Sequence, residues 1–245
     1  MKLRWIFLSS VVIAAGCSNP PAATTTKPEG DKPTATAGGT PEEPKAPVAT
    51  AAEIPASLKG DAYDYYGLAN AEPIKMEIRS ATPPARSGLQ TIKLKEIKDG
   101  KAIFTVDRTE GLADLGSMEL SLDDKGLFVL STNIGKVEEN HLELPNGLAV
   151  GKTWNVKSKI TRDTGQSVEN DATFKVQRTE KVTTPVGTYD ALLITSTGPA
   201  TVSGTKMSMS TKGWFVKGRG PVKMEIDIQQ PGQPVNKMTI IEVKG

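Results

Sequence analysis

Cysteine and histidine are nearly missing: the 245 residues hold one of each, Cys17 and His141. One cysteine excludes an internal disulfide and any Cys-based metal site. One histidine, set between acidic residues in EENHLELP, has no sequence partner for a triad or a zinc centre and is expected at the surface. Excess charge is missing too. Lys2 and Arg4 belong to a leader, and without them 28 basic residues face 28 acidic ones, which argues against nucleic acid as a partner. The longest apolar run, WIFLSSVVIAA, falls short of the ~20 residues a membrane span needs. No GxSxG and no GxxxxGK[ST] occurs. Apart from YDYYGLANA, which allows one or two turns of helix, no window keeps a 3.6-residue apolar period.

What is present begins with a secretory leader. MKLR carries positive charge, a short apolar stretch follows, and Ala14-Ala15-Gly16 precede Cys17. AAGC resembles the lipobox of bacterial lipoproteins, with Ala14 in place of the usual leucine. The resemblance implies a signal peptide over 1–16 and acyl chains, palmitate among them, on Cys17 as the membrane anchor. Ser18, rather than Asp, after the cysteine implies the outer membrane, periplasmic face. The alternative is an ordinary cut near Gly16 that leaves a free thiol. Residues 17–56 then hold eight of the chain's seventeen prolines and no aromatic residue. Such text buries too little surface to offset ordering entropy, so a disordered tether of roughly 35 Å mean span is expected.

Residues 57–245 read as strands. PIKMEIRS, TWNVKSKIT and PVKMEIDIQ alternate apolar and polar residues. Asp99-Gly100 marks a hairpin, MELSLDDKGLFVLST a second, and Thr184-Pro185-Val186-Gly187 a turn between two more strands. The expected class is all-β: a single antiparallel β domain, either an open half-barrel or a sandwich.

The stretch GWFVKGRGPVKMEI (213–226) could be an anion loop or a bend. A phosphate loop needs a helix after it, and here an alternating strand follows, so a bend is expected. An aromatic pair, a G-x-G bend and Val-Lys entering a strand resemble the "WYapGvGlVk" signature of a family of bacterial envelope proteins similar to the LolA-like half-barrel. TTPVGTYDALLI (183–194) and LELPNGLAVGKTW (142–154) resemble two further motifs of that family. Pro221 departs from the pattern, which has an aliphatic residue there. The resemblance implies a fold and brings no catalytic residues with it.

Candidate site residues follow from side-chain chemistry. Met76, Met207, Met209, Met224, Ile226 and Met238 suit the lining of an adaptable apolar interior. Met207 and Met209 alone, on one strand face, are too few for a copper(I) site. Lys212, Lys217, Arg219 and Lys223 form a candidate basic rim. No catalytic residue, metal or cofactor is expected. The expected function is a non-catalytic envelope lipoprotein holding an apolar ligand such as a lipid or acyl chain. The alternative is a structural module docking another envelope protein through a sheet face or edge. An enzyme built on carboxylates from separate strands is the remote third reading.

Overall fold

The computed structural model describes residues 53–80, 84–138, 141–162 and 164–245, with the backbone of residues 6–7 and 13–14, which pair as a short antiparallel ladder. Cys17 and the expected tether as far as residue 52 lie outside the described residues. Alternation gives thirteen strands: β1 (Ile74–Ser80), β2 (Arg86–Lys98), β3 (Lys101–Arg108), β4 (Met118–Leu122), β5 (Gly126–Thr132), β6 (Lys136–Glu138), β7 (His141–Pro145), β8 (Thr153–Thr161), β9 (Ser167–Thr183), β10 (Thr188–Val202), β11 (Thr205–Val216), β12 (Gly220–Gln229) and β13 (Asn236–Glu242). The turns are those the sequence asks for. Asp99 and Gly100 both take positive φ, 51° and 74°, as a two-residue hairpin loop requires.

All thirteen strands join one antiparallel sheet in the order β6-β8-β9-β10-β11-β12-β13-β1-β2-β3-β4-β5-β7. The domain is all-β as expected, and the sheet rolls up into a nearly closed barrel. Its two edges, three-residue β6 and five-residue β7, come from neighbouring parts of the chain. The pairing of β13 with β1, Ile240 opposite Ile78, joins the two halves.

Two pieces of non-sheet structure fill the roll. Helix α1 (Asp61–Tyr66) is short enough to be marginal alone, so tertiary contacts must hold it. Asp61 and Asp64 suit its N-terminal dipole, and Gly67, with φ 74°, ends it in the left-handed conformation. Ile54, Leu58, Ala62, Tyr63, Tyr66 and Leu68 bury into a first core cluster, with Trp154 stacked on Phe174 at 5.2 Å. A 3-10 stretch, Glu110–Leu115, sends Leu112 and Leu115 into a second cluster with Ile78, Ile160 and Ile228. A third, smaller cluster joins Val182, Ala191, Leu193, Trp214 and Val222.

Candidate functional site

Between the two large clusters lies a polar layer. On β8, Trp154 and Val156 belong to the first cluster and Ile160 to the second, with buried Ser158 between them. On β9, buried Asn170 separates Val168 from Ala172. Ser196 on β10, which pairs with Phe174, and Thr211 on β11 are buried too and share a 2.6 Å hydrogen bond. β7 contributes His141 and Glu143, only 3% and 4% exposed. The histidine expected at the surface is therefore inside.

Its burial has a local cause. On β7, Leu142 pairs with Phe128 and Leu144 with Leu127, so Glu143 is the extra residue of a β-bulge. A bulge re-aims a side chain that plain alternation would send outward. His141 Nε2 stands 3.4 Å from Glu143 Oε2. Neither ring nitrogen, nor that carboxylate oxygen, nor Ser158 Oγ, nor either polar atom of the Asn170 amide has a hydrogen-bond partner in the protein.

Arg108, at the end of β3, faces the same region. Its Nε donates to Gln90 Oε1 and its Nη1 to the Gly116 carbonyl, both at 2.9 Å. Loss of hydration pulls its pKa below the usual value, partly offset by Tyr66 and Glu143 nearby. Burial pushes the Tyr66 phenol up, and the Glu143 carboxylate pushes it further. Tyr66, Gln90, Arg108 and Glu143 line a cavity of about 30 Å³ whose other walls are apolar, among them Met76, Met224, Leu112 and Ile240.

Of the sequence candidates, Met76 and Met224 thus face the cavity. Met209, Ile226 and Met238 are packed in the second cluster, with Met207 half-buried against it. At about 30 Å³ this cavity is far smaller than the continuous apolar cavity an open carrier would show.

The basic residues do not stand free. Lys212 lies 3.8 Å from Glu225, and Lys223 2.7 Å from the same residue and over the Trp214 ring. Lys217 pairs with Asp64 at 3.2 Å. Arg219 makes two bonds, 2.7 and 2.6 Å, to the buried Glu242 carboxylate and lies over Tyr189.

The GRG turn is a bend, and it docks on α1. Gly218 N donates to the Asp64 carbonyl at 2.8 Å. A Cβ on Gly220 would lie 2.7 Å from the Tyr66 carbonyl, and one on Gly67 2.4 Å from that of Arg219. Glycine is needed there because two backbones touch. Sequence reasoning missed Tyr66, Arg108 and Glu143. The one available signal was HLELP, where two polar residues alternate inside an otherwise core-forming strand.

A family model described as DUF3108-like matches residues 123–227, a span containing all three motifs quoted above. No curated protein matches the chain. Among solved structures, a Bacteroides fragilis protein described as exported and YmcC-like in fold matches with a TM-score of 0.51 at 11% identity, covering 71% of this chain and 95% of that one. A Parabacteroides distasonis protein described as a lipoprotein matches with a TM-score of 0.50 at 12% identity, covering 73% and 96%. At such identities the likeness concerns fold alone: the chain has a barrel similar to the YmcC-like fold and carries a DUF3108-like segment at 123–227.

Proposed function

We propose that this is a non-catalytic envelope lipoprotein, anchored through Cys17, whose barrel interior binds a small amphiphile. The observation that carries the reading is the cavity where half-buried Arg108 and buried Glu143 meet an apolar wall containing Met76 and Met224. Enclosed ionisable groups are costly to hold and gather at sites that use them. A pocket mostly apolar, with a few converging polar groups, has the form of a ligand site. One cation and one anion face it together, so the matching head group is uncharged or zwitterionic. Hydroxyls or an amide would serve both, whereas a bare carboxylate would meet Glu143. The similar structures described as exported or as a lipoprotein support an envelope location.

The test uses the full chain carrying Cys17→Ala, so that no anchor lipid confuses the mass. Monoacylglycerol and a fatty acid of equal chain length are offered, and native mass spectra are recorded. Retention of monoacylglycerol, lost in Arg108→Met, is expected, with the fatty acid at least tenfold weaker. No retention of either would overturn the reading. The small volume of the cavity favours a second one, a packed module that docks another envelope protein. That protein would co-purify with the anchored chain from cross-linked membranes.

A further inference from the structure

The basic rim read from the sequence is neutralised, but four other lysines are not. The loop 146–152 joins β7 to β8 at the end of the barrel where α1 sits. Asn146 N donates to the Lys125 carbonyl at 2.9 Å, and Gly60, next to Lys59, lies against the Asn146 amide. On the other side, Val176 N donates to the Lys152 carbonyl at 2.9 Å, and Lys175 pairs with Thr153. Lys59, Lys125, Lys152 and Lys175 are all exposed, and among the described residues none has a partner for its ammonium group. Other lysines at this end are taken: Lys101 by Asp123, Lys181 by Asp190 and Lys217 by Asp64. Against the four stand Asp124, exposed beside Lys125, and Asp61, whose carboxylate accepts the Leu148 N–H at 2.8 Å. Within this ring Val150 is 61% exposed, more than any other large apolar side chain among the described residues.

We propose that this face docks on a bilayer containing anionic phospholipid, with Val150 entering the head-group layer and the four lysines over the phosphates. The orientation rests on the Cys17 anchor of the reading above. Membrane affinity adds buried apolar area to attraction for anionic lipid, and this face offers both. The course of the chain agrees. The stretch that leads from Cys17 enters the domain at residue 53, and by Asp61 and Ala62 it already lies against Leu148 and Asn146. An anchored chain holds the face near the bilayer at an effective concentration on the order of millimolar, so weak docking suffices. A lysine near an anionic surface is worth about 1 kcal/mol, a factor of about five in binding. Four lysines against two carboxylates leave an excess of two, hence a roughly thirtyfold preference for an anionic over a neutral bilayer at low salt.

Hydrogen exchange of the full chain is followed on vesicles of phosphatidylcholine, with and without phosphatidylglycerol. Exchange across 147–152 should slow only with phosphatidylglycerol, and the protection should fade as salt rises. The turn at Ser203 and Gly204, at the far end of the barrel beside Ser167, should exchange alike on both lipids. Lys125→Ala with Lys152→Ala removes the excess charge and should lower the protection gained at 147–152 by up to roughly thirtyfold. Val150→Asp must act in the same direction. The mass of the same preparation reports whether Cys17 carries acyl chains. Where it does not, the anchor reading fails by itself, and vesicles in excess still read the docking of the face. No slowing at 147–152, or slowing that is equal on the two lipids or equal at the far turn, would overturn the proposal and leave the ligand reading standing.

Discussion

Arg219→Ala should be the most damaging single truncation in the GRG turn, and its cost can be worked from the geometry. Glu242 has a side chain 1% exposed and takes both Arg219 bonds, while its remaining partner is the Tyr189 hydroxyl at 3.3 Å. Removing one member of a buried pair costs about 3–5 kcal/mol, because the other charge is left unpaired. Arg219 is itself 35% exposed, so water can reach the gap and the lower end applies. Losing its contact over Tyr189 adds roughly 0.5–1 kcal/mol. The expected loss is therefore about 3.5–4 kcal/mol. At about 2–4 °C per kcal/mol for a domain of this size, Tm should fall by ~7–16 °C. The assay is urea unfolding of the Cys17→Ala chain, with the slope m checked for constancy. Most of the penalty is assigned to an orphaned carboxylate, so Arg219→Ala with Glu242→Gln should be more stable than Arg219→Ala alone. If the two substitutions instead add, the orphan-charge reasoning is wrong.

Gly220→Ala forces a Cβ to 2.7 Å from the Tyr66 carbonyl at φ 97°, whereas Gly218→Ala meets nothing within 4 Å at φ 74°. The first should cost more than the second, whose expected loss is about 1–2 kcal/mol for the left-handed conformation alone; denaturant midpoints compare them. Burial holds the Tyr66 phenol neutral above its ordinary value. Its contribution is thus complete below about pH 10 and drains away as pH rises further and the unfolded chain ionises first. Tyr66→Phe should flatten that alkaline limb in a pH series of unfolding curves. The Trp214 indole, 2.7 Å away, and then Arg178 hold the Glu180 carboxyl below the usual carboxylate range. That contribution is present above about pH 4.3 and is lost as pH falls through the lowered value. Trp214→Phe should make the acid limb shallower.

Strand identity was legible because period-two alternation is a local property. PVKMEIDIQ places Met224, Ile226 and Ile228 in one cluster as read. Val222, read in the same phase, packs with Trp214 and Leu193 instead, since a register shift opposite Trp214 and Phe215 breaks the phase. The same failure hid the site. Glu143 faces inward only because β7 bulges against β5, and a bulge belongs to a pair of strands rather than to one. Arg108 and Tyr66 meet it from β3 and α1, through closure of the whole sheet. The basic rim was legible as a set of charges. Its neutralising partners were not, because Asp64 and Glu242 lie 153 and 23 positions from Lys217 and Arg219.

The β13–β1 ladder has a consequence for assembly. The sheet's free edges come from the middle of the chain, while its central seam joins the strand earliest in sequence to the latest. The two half-sheets can each form hairpin by hairpin, but they share no seam until residues 236–242 arrive. A chain that emerges N-terminus first therefore delivers the joining strand after the other twelve. Until then the roll cannot close, and Met76 and Ile78 lack the neighbours that cover them, Met238 and Ile240. Closure is a single late event of high contact order, and the interval before it is when the chain is most open to aggregation.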